Sequence, residues 1–447
     1  MSLEKVALRY GNSTVSIEIP PGNLAGFISP SSRKGLALSY GMSSLPVVRA
    51  LEQAIASSEI DLDDFVNNKD VCCMIEDCTR KEPYEDILNV LAPRLKNAAF
   101  VRFIIATGAH NPDEEGNKRL SDIIRRIAVC FGLDFELCIN DSRSSYENFE
   151  CVGISKEGNK IYVNKKALYV SGSKRFERML IVADMKPHYF AGYSNALKDF
   201  LPGVCHVSTI EKNHSLALHP RSAFGSHPWH YDPARRNNPL AAEMEEAFYM
   251  VEPSVDNVYA LAMVISGDNI VWAKASDIKS ATEEGIRVVD KLTSFSLDPV
   301  DHIIVGPGGY PNDREIYTAQ RSLELTKNAL KDGGEILWVA EFKEGIAGHG
   351  DEKKHFYDPL LKPLDDVLKM KDSDYILYHH KAYKFAELMK KARHVHVYSS
   401  LDPGVISSIH MNPVKDPQKI VDAWLQKNPN AKILVFDEAN KLAVYGK

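Results

Sequence analysis

Short apolar runs rich in β-branched residues alternate along the chain with segments whose apolar positions recur at helical spacing. Val71-Cys-Cys-Met-Ile75 runs into Glu76-Asp77-Cys78-Thr79-Arg80, and Ala99-Phe-Val-Arg-Phe-Ile-Ile105 into Ala106-Thr107-Gly108-Ala109-His110-Asn111-Pro112. Arg178-Met-Leu-Ile-Val-Ala183 runs into Asp184-Met-Lys-Pro-His188. Helical patterns lie between, at Tyr84 to Leu95 and Leu120 to Phe131. The second half repeats the theme: a strand at Asp301 to Val305 leads into Gly306-Pro-Gly-Gly-Tyr-Pro311 and a helix from roughly Arg314 to Leu330. Strands at Glu335 to Ala340, Val395 to Ser399 and Lys432 to Phe436 follow, with a helix from Pro417 to Gln426. Strands alternating with helices imply right-handed crossovers and a largely parallel sheet, with ligands beyond the strands' carboxyl ends. The three loops after Ile75, Ile105 and Ala183 sit there.

A chain of 447 residues is too long for one ordinary core. The expected fold class is α/β: two α/β domains with largely parallel sheets facing a central cleft. The charged amphipathic pattern from Ile278 to Leu292 has no strand partner of its own. It divides the chain into residues 1–275, a connecting helix at 276–294, and residues 295–447. The net charge of −6 gives no general attraction to nucleic acid or to acidic membrane surfaces. No apolar stretch approaches the ~20 residues that span a bilayer, and the first nine residues read as a strand rather than a secretory signal. The seven cysteines are odd in number and form no paired C-x-x-C spacing. That disfavours a disulfide framework or a structural zinc site and suits a reducing cytoplasm.

Chemistry-bearing residues concentrate in one stretch. Six of the fifteen histidines fall between His188 and His230, where an even spread would put one or two. Imidazole binds transition metals and moves protons near neutral pH. Upstream, Asp77-x-Thr79-Arg80 and Thr107-Gly108-x-His110 follow strands and precede helices. Helix N-termini, threonine hydroxyls and an arginine fork there would hold a phosphate or carboxylate, and Gly108 would let backbone approach it. The plainer alternative is that Asp77 and Thr79 cap a helix beginning near Pro83. Gly306-x-Gly308-Gly309 does not match the dinucleotide fingerprint.

Together these motifs resemble the nickel-dependent lactate racemase family. The resemblance rests on Asp77-Cys-Thr79-Arg80-Lys-Glu-Pro83, Ala106-Thr107-Gly108-Ala109-His110-Asn-Pro112, His188-x-x-Ala191-Gly192-x-Ser194-x-x-x-Lys198-x-x-x-Pro202-Gly203 and Asn213-His214, in the family's order. Gly308-Gly309-Tyr-Pro311-x-Asp313-x-x-x-Tyr317 extends it, so it covers roughly residues 70 to 350. It implies a racemase or epimerase that inverts the C2 carbinol of a 2-hydroxy acid by proton-coupled hydride transfer. The implied cofactor is the nickel-pincer nucleotide, a nickel complex of pyridinium-3,5-bisthiocarboxylic acid mononucleotide, joined to Lys198. The metal ligand is then His214, the acid–base pair His110 and His188, and Asp77, Arg80, Thr107 and Gly108 contact the nucleotide. Implied partners are a small 2-hydroxy acid and cofactor-building enzymes, without which the chain would be an apoprotein. Passing through a 2-keto acid avoids a carbanion, and histidines serve as base in either direction.

The chain departs from the family in two places. Asn195-Ala196 stand where members usually carry Gly-Gly. After Tyr317, Thr318 and Arg321 replace a glutamine and a lysine that contact cofactor and substrate, and arginine is not equivalent to lysine at a carboxylate. Tyr317, Thr318 and Arg321 are the expected substrate-binding residues, and extra polar material at Ser226 to Asn238 suits an acid larger than lactate. His206, His219, His227 and His230 read as loop residues, and His349 as lining the cleft. Three rival readings are a non-catalytic anion- or nucleotide-binding member of the family, a metal-dependent hydrolase using His188 and His214, and a NAD-dependent dehydrogenase.

Overall fold

The computed structural model describes residues 3–33, 37, 39–42, 45–80, 82–252, 254–266, 269–347, 350–351, 353–372 and 375–447. His349 lies outside them. The chain divides into two compact units, Met1–Lys34 with Leu292–Lys447, and Gly35–Lys291. Both are α/β with parallel-rich sheets.

Strands β1 (Glu4–Tyr10) and β2 (Ser13–Ile19) form an antiparallel hairpin, and β3 (Leu24–Ile28) follows. The chain then builds its other unit: β4 (Asp70–Glu76), α1 (Tyr84–Leu95), β5 (Phe100–Ala106), α2 (Glu115–Phe131), β6 (Phe135–Ile139) and β7 (Arg178–Asp184). Three helices come next, α3 (Ala196–Phe200), α4 (Val207–Ser215) and α5 (Pro239–Val251). Strands β8 (Val258–Ser266) and β9 (Asn269–Asp277) complete a sheet of order β9-β8-β7-β4-β5-β6, parallel except where β9 pairs with β8. Every residue of β4 is buried. Helices cover both faces of such a strand, which is why its sequence is a continuous apolar run rather than an alternating one. Helix α2 stops at Gly132, whose φ of 67° supplies the left-handed cap.

Helix α6 (Ile278–Thr293) leads back to the first unit but belongs to the second through Lys291. A Cβ at its Gly285 would collide with Met185 and crowd Trp272, so the helix packs closely on its own unit. Strand β10 (Val300–Val305), α7 (Ile316–Thr326), β11 (Leu330–Val339), α8 (His379–Lys391), β12 (His394–Tyr398), β13 (Asn412–Val414), α9 (Pro417–Lys427) and β14 (Ile433–Phe436) follow. Their all-parallel sheet has the order β13-β12-β11-β10-β14-β3.

The boundary near residue 275 expected from the sequence therefore differs from the structure at the N-terminus. β3 pairs with β14, and the hairpin buries Val6, Leu8, Ile17 and Ile19 in one cluster with Ile304, Leu337, Trp424 and Val435. Asp313 adds a polar tie: its Oδ2 accepts the N–H of Gly11 at 2.7 Å and of Glu341 at 3.2 Å, and the residue is fully buried. Asp313→Ala removes the acceptor that both donors use. We expect a loss of about 1–3 kcal/mol of stability, measured as a lower denaturation midpoint. An unchanged midpoint would remove this tie from the account.

Candidate active site

The carboxyl ends of β4, β5 and β7 converge in the 35–291 unit. Glu76 ends β4, the loop from Thr107 follows β5, and Asp184 ends β7. Asp77 is buried and organises the first loop. Its Oδ1 accepts from the Thr79 N–H at 3.1 Å and the Thr79 hydroxyl at 2.5 Å, and its Oδ2 lies 2.6 Å from His110 Nδ1. Burial would raise the Asp77 pKa, but the charge and hydrogen bond of His110, with help from Arg80 and Thr79, bring it down to about 2. An ionised carboxylate only accepts, so Nδ1 of His110 carries hydrogen, and the form of the ring without a second proton presents Nε2 as an acceptor. Asp77 thus orients His110 and does not cap α1, whose N-cap is Pro83 without a side-chain bond.

His188 is wired the other way. Its Nδ1 accepts the Ala191 N–H at 3.2 Å, so its neutral ring carries hydrogen on Nε2. Phe190 links this ring to the next histidine, with centroids 4.5 Å from His188 and 5.3 Å from His214, both edge-on. Burial and the nearby Lys198 ammonium lower the His214 pKa to about 3, so its imidazole is neutral throughout the physiological range. His214 is held from behind through its neighbour. Buried Asn213 donates to the Leu240 carbonyl at 3.2 Å and to Glu243 Oε2 at 2.9 Å, and Glu243 also accepts from Ser155 and Asn159.

Lys198 lies on α3, a helix of five residues. The loop after it needs glycine: a Cβ at Gly203 would stand 1.9 Å from the Asp199 carbonyl oxygen. The Gly203 carbonyl accepts from the Gly108 N–H and the Asn140 side chain, both at 3.0 Å, joining this loop to the one bearing His110. Gly108 itself has a φ of +56°.

Around Lys198 gather charged groups the sequence reading left without roles. Glu76 accepts from Arg80 Nε at 3.3 Å and from the Asp184 N–H at 3.3 Å, and Lys186 reaches Asp184 at 2.5 Å. Burial opposes ionisation of Glu76, yet the neighbouring Glu82 carboxyl and the charges of Arg80, Lys186 and Lys198 hold its pKa low. Glu82 goes the other way: burial and the Glu76 charge raise it well above the carboxylate range, so it holds its proton. Asp199 is likewise raised by burial and Glu76, against the pull of Lys198, Arg80 and Lys186. The signal was present in the sequence, since Glu76 and Asp184 each end an apolar strand.

Six expected site residues are therefore linked in one neighbourhood: Asp77, Arg80, Gly108, His110, Lys198 and His214, with His188 joined through Phe190. The threonines differ from expectation. The Thr107 hydroxyl donates to the Asn140 carbonyl at 2.6 Å, and that of Thr79 to the Asp77 carboxylate, so both hydroxyl protons are already taken by the protein's own acceptors. His206, His219, His227 and His230 do lie in loops, but only His219 is exposed, and the other three are buried. His230 Nε2 lies 3.2 Å from Asp290, which also accepts from Tyr193 at 2.6 Å and Tyr231 at 2.9 Å.

Tyr317, Thr318 and Arg321 share α7 of the other unit. The Thr318 hydroxyl donates to Glu315 at 2.7 Å. The Lys381 ammonium lies 3.5 Å from the Tyr317 ring centroid and donates to the Tyr317 carbonyl at 2.6 Å. Among the described residues, no helix is long and apolar enough to cross a membrane.

Family models match both units. Residues 10–225 match the lactate racemase N-terminal domain and residues 296–443 the lactate racemase C-terminal domain. The lactate racemase of Thermoanaerobacterium thermosaccharolyticum is 27% identical over 461 residues, covering 100% of each chain. That of Lactiplantibacillus plantarum is 25% identical, covering 97% of this chain and 98% of its own. In fold, the structure of the lactate racemase apoprotein from T. thermosaccharolyticum superposes with a TM-score of 0.81 at 24% identity, covering 99% of this chain and 100% of that one. A protein structure from Thermotoga maritima follows at 0.65 and 14%, covering 91% of this chain and 100% of that one. Motif order, strand-end geometry and two consecutive domain matches agree: this chain belongs to the lactate racemase family.

Proposed function

We propose that the chain is a racemase or epimerase of a lactate-like 2-hydroxy acid that works with a nickel-pincer nucleotide joined to Lys198. The single observation that carries this reading is the opposite wiring of two histidines beside the Lys198–His214 pair. With Nδ1–H of His110 held by Asp77, its Nε2 is the nitrogen that can accept a proton, whereas His188, whose Nδ1 accepts the Ala191 N–H, offers a donor at Nε2. Inverting a carbinol through a ketone needs one group to take the hydroxyl proton and another to return it, with the roles exchanged in the reverse direction.

The residues present fit the cofactor. Lys198 would carry the covalent link, and His214, kept neutral by burial and by Lys198, has the uncharged imidazole that a metal requires. Among the described residues no three His, Cys, Asp or Glu side chains are grouped to hold a metal ion. The protein's share of the metal would be one imidazole, which suits a metal that arrives with its own ligands. Arg80 would meet an anionic group, and Gly108 permits close backbone approach. The chemistry supplied by that group, when bound, is reversible acceptance of hydride from C2. Asp77 keeps its charge near His110 throughout the working pH range, holding the ring in its base-competent tautomer. Tyr317, Thr318 and Arg321 would bind the carboxylate and the remainder of the substrate, which we take to be larger and more polar than lactate.

Co-expression with cofactor-building enzymes tests the reading. The expected results are an adduct on Lys198 that survives denaturation, seen by intact mass and peptide mapping, and interconversion of 2-hydroxy acid enantiomers. Loaded protein without an adduct on Lys198 would overturn it. Lactate as the best substrate by a wide margin would overturn the larger-substrate part alone.

A further inference from the structure

The hairpin that carries His188 has strands of three residues each, Lys186–His188 and Gly192–Ser194, and among the described residues these pair only with each other. A two-stranded ribbon that short does not hold its own place in water. The position of His188 is therefore set by what grips the ribbon from outside. Helix α6 does so at both strands. Its Gly285 comes down on Met185, the residue before the first strand, where a Cβ would stand 2.0 Å from the sulfur. On the second strand, buried Tyr193 donates its hydroxyl to Asp290 Oδ1 at 2.6 Å. Tyr193 pairs with Pro187, and its neighbour Gly192 with His188. Ala191, whose N–H meets His188 Nδ1, stands two residues before Tyr193.

Asp290 is itself firmly held. His230 Nδ1 accepts the Asp232 N–H at 2.9 Å, so its Nε2 carries hydrogen and donates to Asp290 Oδ2 at 3.2 Å. Arg235 Nη1, 3.5 Å from that nitrogen, donates to the same oxygen at 3.1 Å, and the Tyr231 hydroxyl does so at 2.9 Å. The buried carboxylate thus takes three donors from residues 230–235 on one oxygen and the hairpin's hydroxyl on the other. Burial alone would raise the Asp290 pKa, but the bonds from His230, Tyr193 and Tyr231 and the Arg235 charge hold it below its ordinary value.

We infer that Asp290 is a positioning residue for His188: through Tyr193 it fixes the second strand of the hairpin, and with it the turn whose Ala191 N–H sets the imidazole. The inference rests on the reading of His188 as a proton-transfer group, but its physical content is measured on the apoprotein.

The test uses full-length apoprotein with isotopically labelled histidine and long-range proton–nitrogen correlation spectra, with His188 assigned by the loss of its signals in His188→Gln. Wild type is expected to show His188 as a single tautomer with hydrogen on Nε2. Tyr193→Phe removes the hydroxyl and keeps the ring, and is expected to replace that signal by a mixture of both tautomers. Asp290→Asn, which turns an amide toward the donors, is expected to do the same, and the double variant no more, as coupled neighbours behave. Tyr231→Phe takes a hydroxyl from the other oxygen of the same carboxylate and is expected to leave the His188 signal as in wild type. In cofactor-loaded protein, Tyr193→Phe is expected to lower kcat roughly tenfold with KM held within about twofold, the mark of lost orientation. A merely structural role would lower the melting temperature and leave the tautomer alone. An unchanged His188 signal in folded Tyr193→Phe protein would overturn the inference, even if Asp290→Asn fails to fold. An equal change in Tyr231→Phe would overturn it too. Racemisation at the wild-type rate by loaded His188→Gln protein would sink the reading of His188 instead, and the apoprotein spectra would stand apart from it.

Discussion

His110→Gln in cofactor-loaded protein is expected to lower enantiomer interconversion by about 10²–10⁴-fold, the usual worth of a positioned general base. His188→Gln should fall in the same range. The equilibrium constant between enantiomers is one, so kcat/KM must drop equally from either starting enantiomer whichever histidine is replaced. Asp77→Asn is expected to cost less, roughly 10–100-fold, as loss of an orienting partner does. The amide removes the charge that fixes the Nδ1–H tautomer while leaving the ring in place. All three variants should still carry the Lys198 adduct, because none supplies the amine. Polarimetry or chiral chromatography on loaded protein gives the rates, and intact mass the loading. Loaded His110→Gln protein racemising at the wild-type rate would take the proton-transfer role from His110.

Acid should expose the buried imidazole of His227. Its folded pKa is lowered from 6.5 to about 3 by burial and by His230, so between those values the unfolded chain binds a proton that the folded chain refuses. The contribution is complete above pH 6.5 and is lost as pH falls toward 3. Each unit below 6.5 costs about 1.4 kcal/mol, or ~2 kcal/mol by pH 5. The total stability curve mixes this with opposing groups. Glu82 and Asp199 have raised pKa values and bind protons in the folded state that the unfolded chain has released. They favour the fold as pH falls through the same window. The histidine is therefore read as a difference between wild type and His227→Gln. The gap in unfolding free energy between the two should move by ~2 kcal/mol in favour of the variant from pH 7 to pH 5. A gap independent of pH would mean that His227 titrates normally, and its acceptor role toward the Trp229 N–H would fall with it.

Much of the fold was legible because parallel strands buried on both faces are continuous apolar runs. The strands expected at 71–75, 99–105, 178–183, 301–305, 335–340 and 432–436 all form, within a few residues at their ends. Helix α1 covers the expected Tyr84 to Leu95, and α9 runs one residue beyond Gln426. The partner of β14 was not legible, since β3 lies some 400 positions earlier and carries no local mark of its pairing. The connecting helix was visible as an amphipathic period, but its packing on Met185 and Trp272 was not.

At the site, the sequence by itself determined which side chains stand at strand carboxyl ends, because strand termination is a local matter of apolar run and polar loop. It thereby placed Asp77, His110 and His188 in their loops and marked Lys198 and His214 by spacing. Only the tertiary structure decided their protonation and partners. Asp77 turns to His110 and Thr107 to Asn140, while the Glu76 charge keeps Glu82 protonated. His227 lies in a loop, as read, but is buried there beside Asn195. The reason is that a side chain's charge state and hydrogen-bond direction depend on burial and on neighbours from distant segments, whereas the period of a strand depends only on its own residues.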